Sequence, residues 1–230
     1  MVDSLKQRLA RTVGRENLEF LSHSKNYLSA SLLQSVLVAA TVPLLTQLLR
    51  PEEYGILAVF TSLVSMMTIL FGLNLKSGIA RYYLEKNADF DRALGTNMVF
   101  LLSFNGVMLA AILVLAGPLA RFFAIDELVF RYAALASVLS IGVEVYMTHL
   151  QGAARSARHA LLTVLRTGLT LALAIGLMLL LKEKRYLGRM YAELVLTGLF
   201  SLYAFLALTR IASFRLDSKY LRYTLAFSLP

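Results

Sequence analysis

The chain has 230 residues, 58% of them hydrophobic, with a mean hydropathy of +0.66 and a formal charge of +9. That apolar content excludes an ordinary soluble domain, whose surface helices turn an apolar residue inward only every third or fourth position. The absence of cysteine excludes disulfides, thiolate metal sites and thiol nucleophiles, and three histidines leave little material for a metal cluster.

Residues 1–26 are charged, with Leu5, Leu9 and Val13 at helical spacing among Lys6, Arg8, Arg11 and Arg15. This segment reads as a cytoplasmic basic amphipathic helix on an anionic leaflet, or as a tail that only sets topology. The apolar run that follows is too long for the core of a signal peptide. Six such runs occupy residues 27–49, 56–75, 94–119, 128–150, 161–181 and 190–209. Each can cross a hydrocarbon core of roughly 30 Å, which takes about 20 helical residues. The expected architecture is all-α: a six-helix transmembrane bundle over 27–209, a cytoplasmic linker over 210–219, and the start of a seventh helix over 220–230. A membrane protein seldom ends on such a start, so further chain is expected after it.

Fifteen Lys and Arg residues flank the spans on the side of the N-terminus, against six on the other side. The positive-inside rule then places the N-terminus in the cytoplasm. The loop over 182–189 runs against the bias with Lys182, Lys184, Arg185 and Arg189, and its charge suits an anionic substrate or headgroup. Because the basic residues are spread between spans as topology signals, nucleic acid is not an expected partner.

Polar residues recur inside the spans at helical spacing. Span one has Gln34 and Thr41, and span two has Thr61, Ser65, Thr68 and Gly72. Span four has Ser137, Ser140, Glu144, Thr148 and Gln151, and span five has Thr163, Arg166, Thr167 and Thr170. Such stripes face a polar cavity or another helix rather than lipid. Glu144 and Arg166 would lie at similar depth in antiparallel neighbours, about 9 Å from the cytoplasmic boundary. They are either an ion pair locking two helices or cavity groups, Arg166 for an anion and Glu144 for a titrating role. Arg131 and Glu193 fall near the outer span ends, as cavity groups or interfacial anchors. No phosphate-binding Gly-rich loop with Lys, no HExxH and no paired acids are present; Asp89 and Asp91 read as a solvated loop face. Catalytic residues, metal ligands and cofactors are therefore not expected.

Three segments resemble one family. Leu45-Thr46-Gln47-Leu48-Leu49-Arg50 runs into Pro51-Glu52-Glu53-Tyr54-Gly55, Gly72-Leu73-Asn74 leads to Gly78-Ile79-Ala80-Arg81-Tyr82-Tyr83, and the chain closes on Leu225-Ala226-Phe227-Ser228-Leu229-Pro230. They are similar to the polysaccharide flippases, O-antigen type included, of the multidrug, oligosaccharidyl-lipid and polysaccharide exporter superfamily. The spacing follows the family's first six-helix bundle, the N-terminal half of a two-bundle exporter fold. The resemblance implies translocation, without bond chemistry, of a polyprenyl-pyrophosphate-linked oligosaccharide across a bacterial or archaeal cytoplasmic membrane. It also implies a central cationic cavity, with Arg81, Arg166 and Arg131 as candidates beside Glu144, Gln34 and Gln47. Arg81 is otherwise an ordinary topology signal. Family members usually carry Arg where this chain has Gln47, so that contact is weakened or supplied elsewhere. Implied partners are the lipid-linked oligosaccharide, anionic membrane lipids, a C-terminal bundle or complementary half, and polysaccharide polymerase and glycosyltransferases. The alternatives are half of an exporter for drugs or small solutes, where Glu144 would matter more, and a non-transporting scaffold for polysaccharide assembly.

Overall fold

Each expected span is largely helical in the computed structural model, which describes residues 15–84 and 89–228. The described helices are α1 (Arg15–Leu48), α2 (Pro51–Gly72), α3 (Leu75–Leu84), α4 (Phe90–Val114), α5 (Ala116–Phe122), α6 (Glu127–Gly152), α7 (Ser156–Leu180), α8 (Tyr186–Thr209) and α9 (Ser218–Ser228). Six of them, α1, α2, α4, α6, α7 and α8, are long and apolar enough to cross a membrane. Most of the proposed amphipathic segment over 1–26 lies outside the described residues.

Local chemistry sets the helix ends. Pro51 opens α2 where its missing N–H costs nothing, and Glu52 and Glu53 fill the first turn, where the helix dipole favours acids. Asp126 caps α6, its carboxylate accepting from the backbone N–H of Leu128 at 2.8 Å and Val129 at 3.4 Å. Leu73 and Asn74, both at positive φ, turn the chain from α2 into α3. Two expected boundaries are corrected: the run over 56–75 ends as a helix at Gly72, before that turn, and the run over 94–119 is not a single helix. Pro118 has no N–H to give the Val114 carbonyl, so α4 stops at Val114 and the short α5 follows.

Packing centres on α6. Its Ala133, Ala134, Ala136 and Ser137 are fully or almost fully buried, and these small side chains let α2 and α8 approach closely. Ser137 adds hydrogen bonds to the carbonyls of Val64 (3.1 Å) and Ala133 (2.7 Å). At the other extreme α1 is almost wholly exposed; it packs on α7 and barely touches α2. The bundle therefore divides into an α1–α7 pair and an α2–α6 pair, bridged by α8.

After α8 the chain crosses the start of α4 and enters α9. Here Asn97 of α4 donates to Thr224 Oγ1 of α9 at 3.0 Å and to the Ala93 carbonyl at 2.8 Å, all buried. Tyr220 donates to Asp89 at 2.9 Å, so Asp89 anchors α9 rather than lying free on a loop. Thr224→Val keeps the shape and strands the Asn97 donor. It is expected to cost about 1–2 kcal/mol, read as earlier proteolytic release of α9 on warming the detergent-solubilised protein.

Candidate functional site: a polar cavity between two helix pairs

The wedge between the helix pairs forms an open cavity of about 770 Å³. Polar stripes from several spans reach it. Gln34 and Thr41 come from α1, Tyr54 and Thr61 from α2, Thr163, Arg166, Thr167 and Thr170 from α7, and Arg189 and Glu193 from α8. A second cavity of about 520 Å³ lies between α2, α6 and the α2–α3 turn, lined by Ser65, Thr68, Gly72, Asn74, Lys76, Ser140 and Glu144. Arg166 lines both, so its guanidinium stands in the wall they share.

Charges in the larger cavity form one cluster. Glu193 accepts from Arg189 at 2.9 Å and lies 3.7 Å from Arg166. Thr197, buried behind them, accepts from Arg166 at 3.3 Å and donates to Glu193 at 3.2 Å. In the smaller cavity Lys76 donates to Glu144 at 3.1 Å. Three cations thus face two carboxylates, one net positive charge over the two cavities together. Arg166 and Arg189 are about a quarter exposed, which leaves N–H groups directed at the cavity. The planar fork of a guanidinium matches phosphate oxygens.

Glu144 and Arg166 both reach the smaller cavity but each holds another partner: Lys76 for the acid, Glu193 for the arginine. A locked Glu144–Arg166 pair is therefore not what joins these helices. Gln34 lines the larger cavity. Arg81, Arg131 and Gln47 do not line either one. The Arg81 guanidinium lies 4.0 Å from the Phe227 ring centroid of α9. Arg131 pairs with Glu127 one turn earlier on the exposed face of α6, and Gln47 is exposed on α1. Lys76 and Thr197 are not among the sequence candidates, and Arg189 is there only as one of the basic residues of the 182–189 loop. Arg189 and Glu193 stand four apart on one helix, a spacing that marks a pair; nothing in the sequence ties either to Arg166.

The segment Pro51-Glu52-Glu53-Tyr54-Gly55 has a physical role at the far end. The Glu53 carboxylate accepts from the backbone N–H of Arg50 at 3.2 Å and of Arg185 at 2.9 Å, so one side chain caps the starts of α2 and α8 together. Arg185 returns a bond to the Leu48 carbonyl at 3.1 Å. Tyr54 contributes to the cavity wall, whereas a Cβ at Gly55 would meet nothing. Removing both caps with Glu53→Ala is expected to cost about 1–2 kcal/mol and Glu53→Gln less, since one acceptor oxygen stays. Thermal unfolding in detergent measures both.

Two solved structures share this architecture. A MATE protein in complex with MaD5 superposes with a TM-score of 0.70 at 20% identity, over 90% of this chain and 51% of that one. A MOP-superfamily transporter from Pyrococcus furiosus superposes with a TM-score of 0.60 at 18% identity, over 93% of this chain and 50% of that one. The protein is thus a multi-pass, all-α membrane bundle of the MATE-like fold, spanning about half the length of those chains. No curated protein matches the sequence. The chain belongs to the polysaccharide biosynthesis protein family, whose pattern covers residues 25–230.

Proposed function

We propose that this protein takes part in moving a polyprenyl-pyrophosphate-linked oligosaccharide from the inner to the outer leaflet of a cytoplasmic membrane, with its N-terminus inside. The observation that carries this reading is the Arg166–Glu193–Arg189 cluster, which leaves a positive charge inside a transmembrane cavity. The cluster suits the pyrophosphate, while the surrounding Gln34, Thr163, Thr167 and Thr170 offer hydrogen bonds to sugar hydroxyls. The polyprenyl tail stays in lipid. Translocation breaks no bond, so the side chains bind and release instead of catalysing; among the described residues no acid–histidine group is placed to hold a metal.

The walls belong to helix pairs that touch little across α1 and α2, which suits opening and closing by rocking against a second bundle or complementary half. Polymerase and glycosyltransferases of the same pathway are the proposed neighbours. Export of a cationic solute is the weaker reading, because Glu144 and Glu193 are each already held by a cation. Depleting the protein tests the proposal. Lipid-linked oligosaccharide should build up in a form reachable only from the cytoplasmic leaflet, and an unchanged leaflet distribution sinks it.

A further inference from the structure

We propose that Arg158, with Arg155 and Arg210 beside it, forms a site for the phosphate of an anionic membrane lipid on the outer surface of the bundle. Arg158 stands in the first turn of α7. Its guanidinium donates to the Tyr203 hydroxyl of α8 and lies 5.9 Å from the ring centroids of Tyr203 and of Tyr146 on α6. The two rings meet edge to face at 5.8 Å. Three helices thus converge to hold one guanidinium in place.

The tyrosines fix this charge without neutralising it. A phenol oxygen accepts one N–H and brings no negative charge, so four of the five guanidinium N–H groups remain available. Among the described residues, no carboxylate lies within ion-pair distance of Arg155, Arg158 or Arg210. Arg155 precedes the first residue of α7 and Arg210 follows the last residue of α8. Arg155 stands three positions before Arg158 and Arg210 seven after Tyr203, so each falls on the helix face that carries its neighbour. Neither tyrosine lines the two polar cavities, so this site is separate from the transport path and does not depend on it.

Exposure supports the bilayer as the source of the anion. Arg158 is exposed, and Tyr203 is 39% exposed, at the ends of membrane-spanning helices where headgroups lie. One turn deeper on the face of α8 that carries Tyr203, Leu199 is 58% exposed, with Leu202 beside it at 56%. A phosphate held by the arginine fork would leave its acyl chains against these leucines. Free phosphate offers the same oxygens but gains nothing from them.

The full chain in neutral detergent, titrated with phosphatidylglycerol or phosphatidylcholine and read by native mass spectrometry, tests the site. Phosphatidylglycerol is expected to bind more tightly, and Arg158→Gln to weaken it about 5-fold, the factor for one cation facing an anionic headgroup. Arg92→Gln, which removes an exposed cation from the start of α4, is expected to leave binding unchanged. Tyr203→Phe removes the acceptor that orients Arg158 but keeps the ring. It should give a smaller loss, and it provides the reading if Arg158→Gln fails to fold. Equal losses in Arg158→Gln and Arg92→Gln, or no preference for phosphatidylglycerol, overturn the site. Retention of lipid in excess inorganic phosphate supports the bilayer as source; displacement by phosphate overturns it.

Discussion

Arg166→Gln is expected to reduce glycan export roughly 10- to 100-fold while the protein still folds into the membrane. The range follows from losing one hydrogen bond to a charged substrate group, about 1.5–3 kcal/mol. Folding should survive because Glu193 keeps Arg189 at 2.9 Å, so no carboxylate is stranded. Glu193→Gln is the contrasting case. It leaves Arg166 and Arg189 without a counter-charge, so it is expected to lower the amount of folded protein as well as export. Arg166→Lys keeps a cation but loses the fork, and should fall between wild type and Gln. The measurement is surface glycan per unit of membrane-embedded protein after replacement of the chromosomal gene. Export unaffected by Arg166→Gln would remove the cluster from the substrate path.

The second large effect is on stability and concerns Gly95. A Cβ there would lie 1.9 Å from the Ser213 carbonyl oxygen and 2.4 Å from its carbon, both backbone atoms. That contact is tight because the segment after α8 is strapped onto α4: Ser213 donates to the Asp91 carbonyl at 3.0 Å. Thr96 donates to the Arg215 carbonyl at 2.7 Å and accepts from Asp217 N–H at 3.3 Å. Gly95→Ala must push the strap off by more than an ångström and break several of these bonds. The expected cost is about 3 kcal/mol or more, seen as a lowered melting temperature and easy cleavage within residues 210–217. Gly106→Ala on the same helix is the control, since a Cβ there meets nothing.

The spans were legible because crossing lipid demands about 20 apolar residues whatever the tertiary arrangement, and four of the six runs appear as single helices to within a residue. The split of α4 from α5 was legible too, since Pro118 stands within the run and lacks the N–H that would continue it. The polar stripe of span five was readable as one face, and Thr163, Arg166, Thr167 and Thr170 do share the cavity wall. Partner choice was not readable. Depth arithmetic for Glu144 and Arg166 assumes that helices adjacent in sequence are adjacent in space. Here α6 packs mainly on α2 and α8, while α7 packs on α1 and α8. The carboxylate of α6 therefore turns to Lys76 beyond α2, and the arginine of α7 turns to Glu193 on α8. Likewise, Glu53 is visible in sequence as a first-turn acid. Its bond to Arg185, 132 positions later, exists only because α2 and α8 begin side by side.

The chain contains no cysteine, so a single introduced thiol reports on one place alone. Thr167 lines the larger cavity beside Arg166. With Thr167→Cys in membranes, labelling by a small charged maleimide is measured with and without a polyprenyl-pyrophosphate oligosaccharide. Substrate occupancy of the cavity predicts labelling without the lipid-linked sugar, protection with it, and none from the uncharged polyprenol. Equal labelling in all three conditions would contradict it.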